Sequence, residues 1–426
     1  MSKSKYFVII FFWVSQFVWA QTGNLKTFLD NAQSNSATVL SQGNLKEITN
    51  LQRNLIIAQN KGFQVEATSE ILIAPYFNNN GNFIDITTSP SPDAYGYDVG
   101  ITNGGLYSAQ INVTKNILNQ GLVDNLLLQN DLQNETNALT AADSSHTLTK
   151  NVTDTYIMAY QLQLKREFNH EILKDLEKRL KVVEVLVKRG VLMQSDYLLL
   201  QLDIEQKKLE LQQLQIDFRT TLSQLNMQSG LSLIEVTELT PPDFEITTEP
   251  STPFYQKKFE NDSLQLKAEQ LVFENKYKPQ ISLYANTGLN AVDTRNLDHT
   301  VGASAGLRVT VPIYDSKQKK INNLQSKLKY QNLGYYRTYN RQKLKTQKQN
   351  IQYQIEANQK SNELLEGILK KQESILEVYK GKMVQGQVSI IDYLKILQDY
   401  KINIYTKLQM QTNLWLLKNQ YNYINW

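Results

Sequence analysis

The chain has 426 residues, enough for two or three ordinary domains, and its formal net charge at pH 7 is +4. Because acids and bases are mixed along it, the sequence lacks the basic footprint of a nucleic-acid-binding protein, and no nucleic-acid partner is expected. It contains no cysteine, which excludes disulfides, thiolate metal sites and a lipid-modified N-terminal cysteine. The three histidines are far apart in sequence, so no metal site and no cofactor is predicted.

The first residues have the pattern of a secretory signal peptide. Two lysines precede an apolar run over 6–18, and cleavage is expected between Ala20 and Gln21. A retained membrane anchor is the alternative, but the run is short and two polar residues interrupt it. We therefore expect residues 1–20 to be a signal peptide. No later segment approaches the ~20 apolar residues of a membrane helix.

Residues 21–230 are predicted to form a first unit of two strands and two helices. Alternation of apolar and polar residues predicts the strands, and helical composition broken at Gly190 predicts the helices. The predicted bounds are about 64–77 and 98–115 for the strands and about 116–189 and 191–229 for the helices. A linker over 231–252, irregular and containing prolines, follows this unit.

Residues 253–426 are predicted to repeat the same order, after a short helix over about 253–277. The predicted bounds are about 279–290 and 300–312 for the strands and about 316–385 and 388–426 for the helices, which Gly386 separates. Pro312 lacks an N–H and suits the end of a strand, while Asp315 is placed to cap the next helix. These two residues mark the predicted junction between the strands and the next helix.

A fixed offset relates the two units. Gly190 and Gly386 are 196 residues apart, and so are the dipeptides Asp196-Tyr197 and Asp392-Tyr393. All nine prolines lie outside the four helices that flank the glycines, as uninterrupted helices require. The register predicts a duplicated strand–strand–helix–helix unit.

The predicted strands have one apolar face that no helix obviously covers. In water such a sheet is an aggregation hazard, whereas in an outer membrane it is the expected wall, provided that it closes. Four strands cannot close, because membrane barrels begin at about eight, so several chains must each contribute a sector. One helix of ~105 Å would stand beside two shorter helices of ~57 Å and ~37 Å stacked end to end. Such helices would form a helical barrel of uniform height. The predicted fold is therefore mainly α with a membrane β-barrel sector.

Several segments, in this order and spacing, resemble the TolC family of outer membrane factors. The matching segments are Tyr277-Lys278-Pro279-Gln280-Ile281-Ser282-Leu283, Val309-Thr310-Val311-Pro312-Ile313-Tyr314-Asp315, Arg189-Gly190-Val191 with Asp196-Tyr197-Leu198, and Gly386-Gln387-Val388-Ser389 with Asp392-Tyr393-Leu394. The resemblance covers essentially the whole mature chain. It implies coiled-coil-like helical hairpins, a homotrimer with a twelve-stranded barrel in the outer membrane lipid, and a helical tunnel in the periplasm.

The resemblance also implies partners and site residues. The tips would dock on a periplasmic adaptor (membrane fusion protein) that joins the duct to an inner-membrane pump, for efflux or type I secretion. The implied docking residues are Arg189, Gly190, Val191, Gly386, Gln387, Val388 and Ser389. Asp392 and Asp196 would line the periplasmic entrance, although both are also placed as simple helix-start acids.

The chain departs from the family pattern at two tip positions. Some members have a second acid where this chain has Lys395, and a basic residue where it has Val388. Their ion selectivity therefore does not carry over. A coiled-coil structural protein without channel activity and a plain porin stay as alternatives, and the lysine-rich run 317–320 is expected to form a solvated face below the membrane. No catalytic motif is present, so an enzyme is not predicted.

Overall fold

The computed structural model describes residues 21–35, 37–97, 107–231, 236–248, 250, 253–292 and 297–426. The predicted signal peptide lies outside them. The elements of these residues are β1 (Gln21–Gly23), α1 (Leu25–Asn35), α2 (Ala37–Lys61), β2 (Gln64–Ile71), β3 (Tyr76–Asn79), β4 (Asn82–Asp85), β5 (Tyr107–Asn116), α3 (Gln120–Lys188), α4 (Gln194–Gln228), β6 (Val236–Leu239), α5 (Phe254–Glu274), β7 (Gln280–Ala291), β8 (Val301–Thr310), α6 (Gln318–Val384) and α7 (Ile390–Ile424). In the described part of the chain, no helix is both long and apolar enough to cross a membrane.

The largest sheet is antiparallel, with the strand order β2-β5-β7-β8. The β5–β7 pairing runs from Tyr107 opposite Ala291 to Asn116 opposite Ser282 without a break. Each strand from the first predicted unit therefore shares one sheet with the strands of the second. β2 and β8 are the edge strands.

One predicted strand of the first unit needs correction. The strand predicted over 64–77 ends at Ile71, and the chain then turns into a separate hairpin of β3 and β4. Pro75, which has no N–H to donate to a ladder, stands between them. Of the strand predicted over 98–115, the structure describes Tyr107–Asn116 as β5, and residues 98–106 lie outside the described part.

The chain divides into two compact units. The sheet unit comprises residues 42–140 and 254–339, and the tip unit comprises the described residues among 1–41, 141–253 and 340–426. The long helices α3 and α6 contribute residues to both units.

Within the sheet unit, the helices follow the order of the strands. The contacts that join neighbouring helices are the ion pair Arg53–Asp131 at 2.7 Å (α2 to α3), the hydrogen bond from Asn261 to Thr136 at 2.7 Å (α3 to α5) and the ion pair Lys329–Glu269 at 3.1 Å (α5 to α6). In this unit α2 and α6 are therefore the outermost helices, as β2 and β8 are the outermost strands.

The described residues of the tip unit contain two large hydrophobic cores and a small third one between α6 and α7. One large core forms where β1 pairs in parallel with β6, and there the buried Tyr156 donates its hydroxyl hydrogen to the carbonyl of Thr240 at 2.7 Å. β6 lies inside the segment 231–252 that the sequence predicted to be an irregular linker. Its four residues, paired with the three of β1, were too short to show a period in the sequence. The other large core lies beside the helical tips.

Candidate functional site

The two glycine breaks are closed turns of the same kind. Gly190 and Gly386 have φ of 73° and 71°, the left-handed region that a residue without Cβ adopts at little cost. At the first turn the N–H of Val191 donates to the carbonyl of Leu186 at 2.9 Å, and at the second the N–H of Gln387 donates to the carbonyl of Lys382 at 3.0 Å. These hydrogen bonds, together with those of the glycine N–H groups, make both turns Schellman motifs that end α3 and α6.

The two tip acids occupy the same helical position but have different partners. Asp196 and Asp392 both lie in the first turn of a helix, where the helix dipole favours a negative charge. The carboxylate of Asp196 accepts the backbone N–H of Met193 at 3.0 Å. At the second tip Ser389 does the capping, since its hydroxyl accepts the N–H of Asp392 at 3.3 Å. Within the described residues the carboxylate of Asp392 has no hydrogen-bond partner, and its side chain is exposed.

The structure brings the two tips into contact. A Cβ on Gly386 would lie 2.7 Å from Cγ1 of Val191, so Val191 packs directly against the glycine of the other turn. Behind the turns, side chains of α3, α4, α6 and α7 share one core, in which Met383, Ile390 and Tyr393 are fully buried. Of the predicted docking residues, Val388 is half-buried, and the others are exposed at the turns.

A polar network joins α3 to α7 beside this core. Arg179 makes a bidentate ion pair with Asp175 at 2.8 and 2.9 Å, and the hydroxyl of Tyr393 donates to Asp175 at 3.3 Å. The guanidinium of Arg179 lies 5.0 Å from the centre of the Tyr393 ring. Burial acts to raise the pKa of Asp175, but the hydrogen bonds and charge of Arg179, with the charge of Lys380, lower it below its ordinary value. Burial also raises the pKa of Tyr393. Both groups are therefore fixed in one protonation state at neutral pH.

A second polar cluster lies between α3, α4 and α7. Glu210 accepts hydrogen bonds from Lys401 and, at 2.7 Å, from Tyr405, and Lys207 is 3.4 Å away. Both lysines are buried, and Asn169 of α3 donates to the Tyr405 hydroxyl. Burial lowers the pKa of Lys401 to about 8, although the hydrogen bond with Glu210 acts in the opposite direction. The cluster therefore contains buried, paired charges where α4 approaches α7.

The junction residues connect the sheet to α6. Asp315 accepts the backbone N–H groups of Lys317 at 3.0 Å and Lys319 at 2.8 Å, and the Tyr277 hydroxyl donates to it at 2.7 Å. The hydrogen bond from Tyr277 lowers the pKa of Asp315. The helix predicted from residue 316 begins at Gln318, because Ser316 and Lys317 have positive φ of 51° and 68°. Pro312 lies between the end of β8 and this turn.

Sequence reasoning located the tips and the junction but missed both polar groups beside them. Asp175 and Arg179 are one helical turn apart, a spacing that is common on any solvated helix and so carries little information. Their partner Tyr393 lies 218 residues from Asp175, and no local pattern predicts that contact. The described residues hold no group of three or more acids or histidines placed to bind a metal ion.

Comparison with known proteins gives one consistent result. No protein-family model matches the sequence, and no curated protein resembles it significantly. Among solved structures, the outer membrane protein VceC of Vibrio cholerae superposes with a TM-score of 0.70 at 11% identity, covering 94% of this chain and 95% of that one. The CmeC outer membrane channel of Campylobacter jejuni gives 0.68 at 13% identity and covers 94% and 85%.

The open state of the MtrE outer membrane channel of Neisseria gonorrhoeae gives 0.68 at 16% identity, with coverage of 94% and 88%. At such low identity, likeness over almost the full length of each chain establishes shared architecture. The protein therefore has the fold of the outer membrane channels, as the resemblance of its motifs predicted.

Proposed function

We propose that this protein is the outer membrane exit duct of a tripartite efflux pump or type I secretion system, and not an enzyme. Three copies would each contribute four strands to a twelve-stranded barrel, and the helices would form the tunnel in the periplasm. The likeness to outer membrane channels supports this architecture. If residues 1–20 are the predicted signal peptide, they direct the export that an outer membrane protein requires.

The observation that carries the proposal is that the sheet unit has an unpaired edge strand and an exposed apolar helix row on each of two sides. Within the described chain β2 and β8 each pair on one side only, which leaves two edges for strands of other copies. The outermost helices have exposed apolar rows beside these edges. The rows are Leu45, Ile48, Leu51 and Leu55 on α2 and Ile321, Leu324, Leu328 and Tyr335 on α6. Joining α6 of one copy to α2 of the next would cover both rows and pair both edges.

The tips would dock on the periplasmic adaptor and form the entrance of the duct. Contact between Val191 and Gly386 and the network of Tyr393 support a packed resting state that the adaptor opens. Asp392, exposed and unpaired within the described residues, is the better placed of the two acids to line the entrance, because Asp196 caps its own helix.

Fractionation and conductance test the proposal. We expect the protein in the outer membrane as a heat-sensitive trimer that conducts ions in planar bilayers. Asp392→Ala should change conductance or cation selectivity, whereas Asp399→Ala, an exposed acid further along α7, should not. A soluble elongated dimer would instead support a coiled-coil structural protein. Equal conductance and selectivity of Asp392→Ala and wild type would remove the role of that acid.

A further inference from the structure

The strands of the large sheet begin and end along two further edges, which run across the strand direction. One of these edges is rich in lysine. At this edge, which we call the junction edge, β5 ends, β7 begins and β8 ends. The segments 115–119, 275–280 and 311–320 meet there. They contain one acid, Asp315, which is engaged by Tyr277 and the start of α6. They contain six lysines, Lys115, Lys276, Lys278, Lys317, Lys319 and Lys320. We call these six the lysine collar.

The collar has the side-chain environment of a membrane–water interface. Within the described residues, none of its six lysines forms an ion pair. Three of them lie over aromatic rings: Lys115 is 4.4 Å from the centre of the Phe63 ring, Lys276 is 5.4 Å from Phe273 and Lys319 is 5.2 Å from Tyr277. Ile313 and Tyr314, between β8 and α6, are 98% and 82% exposed. Lysines whose stems follow apolar or aromatic surface while their charges reach water are typical of such interfaces.

The opposite edge of the sheet has the opposite charge. Its described residues, 72–97, 292 and 297–300, include Asp85, Asp93 and Asp298 and contain no lysine or arginine. β5 has ten residues, so the two edges lie about 33 Å apart along the strand, close to the thickness of a bilayer's hydrocarbon core. The sheet is therefore polarised along the direction in which it would cross a membrane.

Of the two long helices α3 and α6, only α6 carries this positive charge away from the junction edge. Residues 316–355 contain ten lysines and arginines and no acid, whereas the corresponding residues 120–159 of the first unit contain five acids and one lysine. Because α2 carries Glu47 as its one acid, the α2 of a neighbouring copy would not neutralise this charge. Lys329 of α6 pairs with Glu269 of α5, but within the described residues the lysine collar has no such acid partner.

We propose that the lysine collar binds the anionic head groups of phospholipids in the periplasmic leaflet of the outer membrane. The inference rests on the proposed membrane location of the sheet. Clusters of basic residues immediately beside a membrane-spanning segment attract anionic lipid, and ammonium groups pair with lipid phosphates. Bound lipid head groups would fix the depth of the barrel at the point where its strands pass into helices.

Lipid binding by the full-length trimer tests the inference. The trimer is reconstituted in nanodiscs of phosphatidylcholine with or without phosphatidylglycerol, and bound lipid is counted by native mass spectrometry. We expect retention of phosphatidylglycerol over phosphatidylcholine, and about tenfold weaker retention in K317Q/K319Q/K320Q. The matched control K370Q/K371Q/K382Q removes the same charge from exposed positions of α6 in the tip unit and should bind as wild type.

Two outcomes would overturn the inference. The first is equal retention of the two lipids by the wild type. The second is unchanged retention in the collar variant. If that variant also has a changed reversal potential in neutral bilayers, the collar lies on the path of soluble anions instead. In each case a conducting trimer leaves the proposed duct intact. Protein that enters no bilayer at all would contradict both.

Discussion

At the scale of single residues, the two tip glycines have the same backbone conformation but different surroundings. Both need φ near +70°, where an added Cβ is strained by about 1–2 kcal/mol. A Cβ at residue 190 would meet no atom within 4 Å, whereas one at residue 386 would overlap Val191. Equal roles in the sequence repeat therefore do not imply equal tolerance of substitution.

We expect Gly386→Ala to lower the stability of the tip more than Gly190→Ala. Both variants add the backbone strain, but Gly386→Ala also displaces Val191. Gly334→Ala is the control, because Gly334 is helical with open space around it, and it should be neutral or stabilising by up to about 1 kcal/mol. Thermal unfolding of the purified protein measures all three. Equal losses of stability at 190 and 386 would show that Val191 moves aside without destabilising the protein.

The Tyr393 network predicts a pH-dependent loss of tip stability. Asp175 has a lowered pKa in the folded chain, so its stabilising effect is fully present above the pKa of an ordinary aspartate and is lost as pH falls from there through the lowered pKa. Asp175→Asn should destabilise the protein by about 1–2 kcal/mol at pH 7, because Arg179 loses its ionic partner, and by less at pH 3. Tyr393→Phe should cost about 1 kcal/mol at pH 7 and less at pH 3, because its hydroxyl donates to the charged carboxylate of Asp175.

Unfolding midpoints at the two pH values check this prediction. Asp399→Asn provides the control, because Asp399 is an exposed acid of α7. A difference between wild type and Asp175→Asn that is as large at pH 3 as at pH 7 would contradict the proposed ionic role.

At the scale of elements, the sequence predicted the helices and turns that show a helical residue pattern or a strong local signal. The long helices and the glycine turns between them are examples, since both glycines are followed within seven residues by a helix-start acid. It did not predict the β1–β6 pair, the true end of β2 or the first residues of α6. These depend on pairing between distant short segments, on one proline and on two residues with positive φ. The buried contacts of Glu210 depend on how three helices pack, which periodicity alone does not specify.

The Glu210 cluster should couple α4 to α7. Glu210→Gln leaves Lys401 and Lys207 buried without their negative partner, which should cost about 3–5 kcal/mol. The double variant Glu210→Gln with Lys401→Met removes the Lys401–Glu210 pair and should lose less than the sum of its two single variants, although Lys207 stays buried. A double-mutant cycle measured by denaturant unfolding tests this. Additive losses would mean that the pair does not join the two helices energetically.

At the scale of the whole molecule, the sheet and the outer helices both indicate that several copies assemble. Neither the four-stranded sheet nor the apolar rows on α2 and α6 are satisfied within one copy. In the proposed assembly, copies arranged in a ring would complete both the antiparallel strands with free edges and the helices with free apolar rows. A closed ring leaves no edge, which a barrel in a membrane requires.

Charge placed in an apolar row should therefore prevent assembly. Leu324 on α6 is 58% exposed in one copy and would be covered in the ring, so Leu324→Arg would bury an unpaired charge at each interface. We expect at least a tenfold loss of trimer by native mass spectrometry, and the same for Leu51→Arg on α2. Leu128→Arg is the matched control, because Leu128 is exposed on α3, which already has a helix on each side. Trimers of Leu324→Arg and Leu51→Arg as abundant as those of the control would exclude these rows as the interface, and the sheet edges alone would then have to hold the copies together.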